Sequence, residues 1–184
     1  MSTPSAFSTP STPSTLFSIG HSTRSIDEFI TLLSSHRVRQ LADVRTIPKS
    51  RRHPQFNSDA LDASLAAVGI EYRHFPGLGG LRKPRPDSRN TAWRNASFRG
   101  YADHMETVMF ETALKDLIEW SVRPTVMMCA EAVWWQCHRQ LIADVLVARG
   151  WRVAHIVSTA APTAHGLTAF ARVQEQAVSY PGLV

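Results

Sequence analysis

The side chains best suited to chemistry come in short groups, each placed just beyond a run of apolar residues. Gly20-His21-Ser22 follows Leu16-Phe17-Ser18-Ile19, and Asp43-Val44-Arg45 closes the run that starts at Gln40, with Pro48-Lys49-Ser50-Arg51 next. Leu78-Gly79-Gly80 comes after Ile70–Phe75, and Cys129-Ala130-Glu131 ends a run that starts at Thr125. Cys137-His138-Arg139 then opens a helical stretch, and His155 lies on a last apolar run, Arg152–Val157. Carboxylates and imidazoles at such positions fit general acid–base work. Arginines fit bidentate capture of phosphate or carboxylate. His21, Asp43, Glu131, Cys137 and His138 are therefore the candidate catalytic groups. Ser22, Arg45, Ser50, Arg51, Gly79, Gly80 and Arg139 are the candidate ligand-binding residues.

Each group alone has a plainer reading. Gly20-His21-Ser22 also suits an ordinary strand–helix turn, and Asp43 with Arg45 can form an ion pair with each other or with Glu131 and Arg139. Gly77-Leu78-Gly79-Gly80 is not a dinucleotide loop, because Arg82 stands where the third glycine belongs and the motif should follow the first strand. No GxxxxGK[ST] loop and no HExxH helix occurs, and Trp135 stands where a thiol-phosphatase loop needs arginine. The spacing C-x7-C-H of Cys129, Cys137 and His138 matches no zinc finger or ribbon, and a fourth ligand would have to be Glu131, His21 or His155. Two isolated cysteines read first as small packing groups, so the set is carried forward without a metal. Cys137 as nucleophile has a physical basis: a helix N-terminus, His138 and Arg139 would each lower its pKa.

The elements that must position these groups follow from periodicity. Ser25-x-x-Glu28 is a capping box, followed by Ile26, Phe29, Ile30 and Leu33 on one helical face. Ser58 is read as the cap of a helix with Leu61, Leu65 and Val68 on its buried stripe, Tyr101–Trp120 is read as one helix, and Cys137–Ala148 as another. Strands are expected at 16–19, 40–44, 70–75, 125–129 and 152–157, the fourth apolar on both faces and so central. Strands alternating with helices predict an α/β fold, a three-layer Rossmann-like sandwich of about five parallel strands with the order 3-2-1-4-5. Ligands bind such sheets beyond the carboxyl ends of the strands, where all of these groups lie. A further helix is expected at 167–178.

Charge and composition bound the function. Between His36 and Tyr101 stand thirteen Lys/Arg against five acids, a local net charge of +8, and eleven of the thirteen are arginine. That excess predicts an anionic partner, a small molecule or a nucleic acid. The 184 residues, 43% hydrophobic and 19% charged, exclude wholesale disorder. No run approaches the ~18 apolar residues of a membrane span, so no membrane partner is expected. Two cysteines make no disulfide framework and no secretory signal pattern is present, which predicts a cytoplasmic protein. Residues 1–15, nearly all Ser, Thr and Pro, are read as a disordered tail, and residues 16–184 as one α/β domain.

Taken together, Gly20-His21-Ser22, Asp43-Val44-Arg45 with Pro48 and Ser50-Arg51, Leu78-Gly79-Gly80, Cys129-x-Glu131, Cys137-His138-Arg139 and His155-Ile156 resemble the family known as domain of unknown function number 488. The resemblance runs from about Phe17 to Ile156. It implies a Rossmann-type α/β sandwich and a site, and no particular reaction. The function expected from the residues is an Arg/His/Glu-lined anion pocket at the carboxyl edge of the sheet, acting on a nucleotide or nucleic-acid phosphate. In it Arg45, Arg51 and Arg139 would clamp the anion, and an ion pair with these arginines is expected at Glu131. The alternative is a non-catalytic nucleic-acid-binding module using the arginine-rich loop 81–99, with Trp93 and Phe98 stacking bases.

Overall fold

Five apolar runs of the sequence become five parallel strands, and the groups that follow them are gathered along one edge. The computed structural model describes residues 15–182. The tail expected over 1–15 lies outside these, except for Thr15, which opens the first strand. The elements are β1 (Thr15–Gly20), α1 (Ile26–Ser35), β2 (Gln40–Asp43), α2 (Ser58–Ala66), β3 (Glu71–His74), α3 (Ala96–Met105), α4 (Val108–Trp120), β4 (Thr125–Cys129), α5 (Arg139–Ala148) and β5 (Arg152–Ile156), then the short strands β6 (Thr163–Ala164), β7 (Arg172–Gln174) and β8 (Ala177–Ser179).

The main sheet has the order β3-β2-β4-β1-β5-β6, with β6 alone antiparallel. The α/β class with a mostly parallel sheet is as expected; the order 3-2-1-4-5 is corrected to 3-2-4-1-5. β4 inserts between β1 and β2, pairing Gly20 with Cys129 and Asp43 with Met128. A helix-bearing crossover can skip one position as readily as none, so connection length does not settle order. β4 is buried along its whole length, and the centre of the sheet is where such a strand is satisfied.

Side-chain alternation divides the core in two. Ile19, Leu41, Val126 and Met128 face α1 and α2, with Phe29, Leu33, Leu61 and Leu65. Leu16, Ala42, Met127 and Cys129 face α3, α4 and α5, with Tyr101, Leu114, Leu141 and Ile142. Each fully buried Leu, Ile or Phe in these layers contributes roughly 1.5–3 kcal/mol of transfer free energy. The connections leaving the neighbours β1 and β4 therefore run to opposite faces, which opens a crevice at their carboxyl ends.

Local chemistry sets the helix boundaries. At α1 the capping box is complete: Glu28 N–H donates to Ser25 Oγ at 3.2 Å, and Ser25 N–H donates to Glu28 Oε2 at 2.7 Å. Asn57, not Ser58, is the N-cap of α2. The single helix expected over 101–120 is two helices, because Thr107 leaves the helix and its Oγ1 accepts from Phe110 N–H at 3.2 Å to start α4. The helix expected at 167–178 is instead the β7–β8 hairpin. Its two turn residues, Glu175 and Gln176, both have positive φ (50° and 75°), the geometry of a two-residue hairpin turn. Among the described residues no helix is long and apolar enough to cross a membrane.

Candidate functional site

Two clusters occupy the carboxyl edge, one on each face. On the α1/α2 side, Asp43 is fully buried and accepts from Arg45 Nε–H at 2.9 Å and from Tyr72 Oη–H at 2.8 Å. The Arg45 guanidinium also donates to the Phe56 carbonyl at 2.8 Å. Burial opposes the charge on Arg45, but the hydrogen bonds and field of Asp43 more than offset this and hold the guanidinium above its usual range. Burial likewise raises Tyr72, and the adjacent Asp43 charge raises it further. His21 Nδ1 lies 2.8 Å from the Ser22 carbonyl, which can only accept, so this nitrogen carries the proton. The other ring nitrogen faces Arg45 at 3.5 Å, and the ring stacks on Phe56 at 4.1 Å. Burial lowers His21 to about 4, so it is neutral near pH 7.

The second cluster lies on the α3–α5 side and is open. A cleft of about 420 Å³ is lined by Arg45 from the β2 end, Gly80, and Cys129, Glu131, Cys137 and His138 from the β4–α5 connection. Its outer wall comes from Thr46, Ile47, Leu81, Asn95, Ser97, Phe98, Tyr101, Ala130 and Gln136. His138 Nε2–H donates to the Val44 carbonyl at 2.8 Å, and Nδ1 faces Cys137 Sγ at 3.6 Å. Arg139 Nε–H donates to the same sulfur at 3.3 Å. Burial works against a thiolate at Cys137; the hydrogen bond with Cys129, His138 and Arg139 outweigh it and push Cys137 well down. The same hydrogen bond, reinforced by burial, pushes the Cys129 thiol up. The ligand atoms of Cys129, Cys137 and His138 all lie within 4.8 Å of one another.

Two glycines make this geometry possible. A Cβ on Gly20 would overlap the Glu131 backbone carbonyl, so β1 can approach the β4 loop this closely only without a side chain. A Cβ on Gly80 would stand 2.9 Å from His138 Nδ1. The β4–α5 connection is further held by Trp134, which stacks on His155 at 4.2 Å. His155 lies 3.0 Å from His165, and His165 lies 3.0 Å from the buried Asp144, whose other oxygen accepts from Tyr180 Oη–H at 2.7 Å. Burial, then the neighbouring His165 and Arg139, lower His155 to about 3.

Of the twelve residues singled out from the sequence, Arg45, Gly80, Glu131, Cys137 and His138 line the cleft. His21, Asp43 and Arg139 are buried behind it, while Ser22, Ser50, Arg51 and Gly79 do not form its wall. Ser50 holds its own turn, its Oγ accepting from His53 N–H at 3.0 Å. The expected arginine clamp is corrected: Arg45 is paired with Asp43, and Arg139, 1% exposed, donates to Ser18 Oγ, Cys137 Sγ and the Glu131 backbone carbonyl. The ion pair expected at Glu131 is corrected as well. Its backbone oxygen is bound, but its side chain is exposed and forms no ion pair among the described residues. The loop turns that carboxylate outward, where water meets its hydration needs and no cation is required.

Trp93 is taken up by an aromatic cluster, stacked on Phe98 at 4.8 Å and edge-on to Phe170 and Tyr180, so it is not free to stack a base. Val44 was missed because its contribution is a carbonyl, which no sequence pattern marks. Asp144 and His165 were missed because they lie on a helix and beyond the last parallel strand, with no short spacing between them.

No curated protein and no solved structure matches the chain. A family model described as "Domain of unknown function DUF488" matches residues 25–146, a span that runs from α1 into α5 and holds every group of the cleft wall named above. The chain belongs to the DUF488 family.

Proposed function

We propose that the chain is an enzyme acting on a phosphate-bearing ligand, a nucleotide or the end of a nucleic acid, held in the cleft at the carboxyl edge. The observation that carries this reading is the placement of Glu131: an exposed, unpaired carboxylate on the wall of a cleft embedded in the most basic part of the chain. A carboxylate whose only purpose was to neutralise that region would be paired. One left free beside a bound anion can take or give a proton. Cationic residues border the wall. Thr46 and Ile47 lead into Lys49, Arg51 and Arg52, and Leu81 and Asn95 belong to the loop that carries Lys83 and Arg94. None of these five cations forms an ion pair among the described residues. They raise the local concentration of an anion. Ile47, Leu81 and Phe98 offer an apolar surface to the uncharged part of the ligand.

The test is a panel of nucleoside mono-, di- and triphosphates and short oligonucleotides, scored for binding at low salt and for turnover. Binding to at least one member is expected, with Glu131→Gln reducing turnover about 10²-fold or more and leaving affinity within a few-fold. Absence of both binding and turnover across the panel would overturn the proposal. Salt-sensitive oligonucleotide binding without turnover, unaffected by Glu131→Gln and weakened by replacing Arg82, Lys83 and Arg85, would favour the non-catalytic nucleic-acid-binding module instead.

A further inference from the structure

We infer that Cys129, Cys137 and His138 form a binding site for one soft divalent cation, zinc by preference, with its fourth position open to the cleft. The inference rests on the reading of the cleft as an active site and adds what its floor is made of.

The ligand chemistry is specific. Two thiol sulfurs and one imidazole nitrogen converge with all three ligand atoms inside 4.8 Å, and the 3.6 Å between Cys137 Sγ and His138 Nδ1 is the separation that tetrahedral bonds of about 2.3 Å to sulfur and 2.0–2.1 Å to nitrogen give. Sulfur and imidazole select zinc over magnesium or calcium, which take oxygen. The imidazole is prepared for the task. Because His138 Nε2–H is committed to the Val44 carbonyl, Nδ1 is the ring nitrogen left to ligate, and it is the one turned toward Cys137 Sγ. Fixing the far nitrogen of a ligating histidine on a backbone carbonyl is the usual outer-shell arrangement at zinc. The Arg139 Nε–H to Cys137 Sγ bond is a second outer-shell contact, of the kind that offsets thiolate charge.

Each element contributes by its position. Cys129 is the last residue of the central strand, on the α3–α5 face, while Cys137 and His138 precede the first turn of α5. Their sequence separation fits no finger or ribbon because the site is closed by a strand end and a helix start rather than by a hairpin. Gly80 supplies the space beside Nδ1. His21 and His155 stand outside the three-residue cluster, so neither supplies a fourth ligand. The Glu131 carboxylate lines the same cleft without belonging to the three-residue cluster. Three protein ligands and an open position are the pattern of a catalytic rather than a structural zinc. Glu131 is then placed to accept a proton from water held there.

The full chain, stripped of metal with a chelator, should take up one zinc per molecule in competition with a chromophoric chelator. Cadmium should produce thiolate-to-metal charge-transfer absorption. Because the chain has only two cysteines, thiol titration reads the site directly: modification proceeds without zinc and is suppressed at saturation. Cys129→Ser, Cys137→Ser and His138→Gln should each weaken binding about 100-fold or more, since outer-shell changes alone give 10- to 100-fold. Should a cysteine variant fail to fold by circular dichroism, Gly80→Ala gives the same information, with an expected loss of about tenfold or more as its Cβ crowds Nδ1. Thiol reactivity unchanged by zinc, or zinc binding that survives in the folded Cys129→Ser, Cys137→Ser double variant, would overturn the site. Glu131→Gln separates the two readings: it should keep full zinc affinity while losing turnover. A failure of zinc binding together with loss of turnover in Glu131→Gln would remove the metal and leave the cleft.

Discussion

On the α1/α2 face the carboxyl edge carries Asp43, Arg45, His21 and Tyr72; on the α3–α5 face it carries Glu131, Arg139, His138 and Cys137. The residue types are nearly the same, and both clusters follow neighbouring strands. In the first, each charged group meets its opposite: Asp43 with Arg45, in full burial and with further hydrogen bonds from Tyr72 and to Phe56. In the second the acid and the arginine have parted. Arg139 turns inward to a hydroxyl, a sulfur and a carbonyl, and Glu131 turns outward alone. Residue composition therefore does not distinguish a scaffold from a site. What distinguishes them is whether the electrostatic needs of each group are met inside the protein.

The comparison can be broken most sharply by exchanging the acids for amides. Asp43→Asn leaves Arg45 charged and buried without its counter-ion, and about 3–5 kcal/mol of stability should be lost in urea unfolding. Glu131→Gln, at an exposed position, should change stability by no more than about 0.5 kcal/mol. Similar stability losses in the two variants would erase the distinction between the faces.

Acid offers a second way to sharpen it. His21 and His155 both have folded-state pKa values held below the ordinary 6.5 by burial, at about 4 and about 3. The unfolded chain therefore binds these protons first. Their contribution is fully present above pH 6.5 and falls as the pH drops from there toward 4, by up to about 1.4 kcal/mol per pH unit for each histidine. Thermal melts from pH 7 to pH 4.5 should show this decline, and His21→Gln should flatten it by about one proton. An equally steep decline in that variant would show that His21 contributes nothing to it.

The smallest expected effect is Tyr72→Phe, which removes one of several hydrogen bonds to Asp43 and leaves the Arg45 pair intact. A loss of about 1 kcal/mol is expected from the shift in urea midpoint. A loss equal to that of Asp43→Asn would mean that the tyrosine, not the ion pair, holds the first cluster together.

Most of the architecture was legible because periodicity is a local property. The Ser25–Glu28 capping box, the apolar stripe of α1 and the double-sided burial of β4 all follow from residues within a few positions of each other. Strand order was not legible, because pairing β4 with β2 as well as β1 is decided by contacts more than eighty residues apart. At the site the positions of Glu131, Cys137 and His138 were legible from their place after a strand. The destination of each side chain was not. Arg139 and Glu131, eight residues apart, suit an ion pair by sequence. Only the close passage of Gly20 against the Glu131 carbonyl shows why the backbone, and not the carboxylate, faces the guanidinium.

The threefold grip of Arg139 has a kinetic consequence. Its guanidinium joins β1 through Ser18, the β4 loop through the Glu131 carbonyl and α5 through Cys137, bonds that link residues up to 121 positions apart. Contacts of such long sequence separation close late, after the intervening loop entropy has been lost. The cleft floor can thus assemble only once the first strand has met the last third of the chain. A chain emerging in order from synthesis would carry β1 unpaired on its central edge through most of its length, so the interval before β4 appears is when it is most exposed to wrong strand pairing.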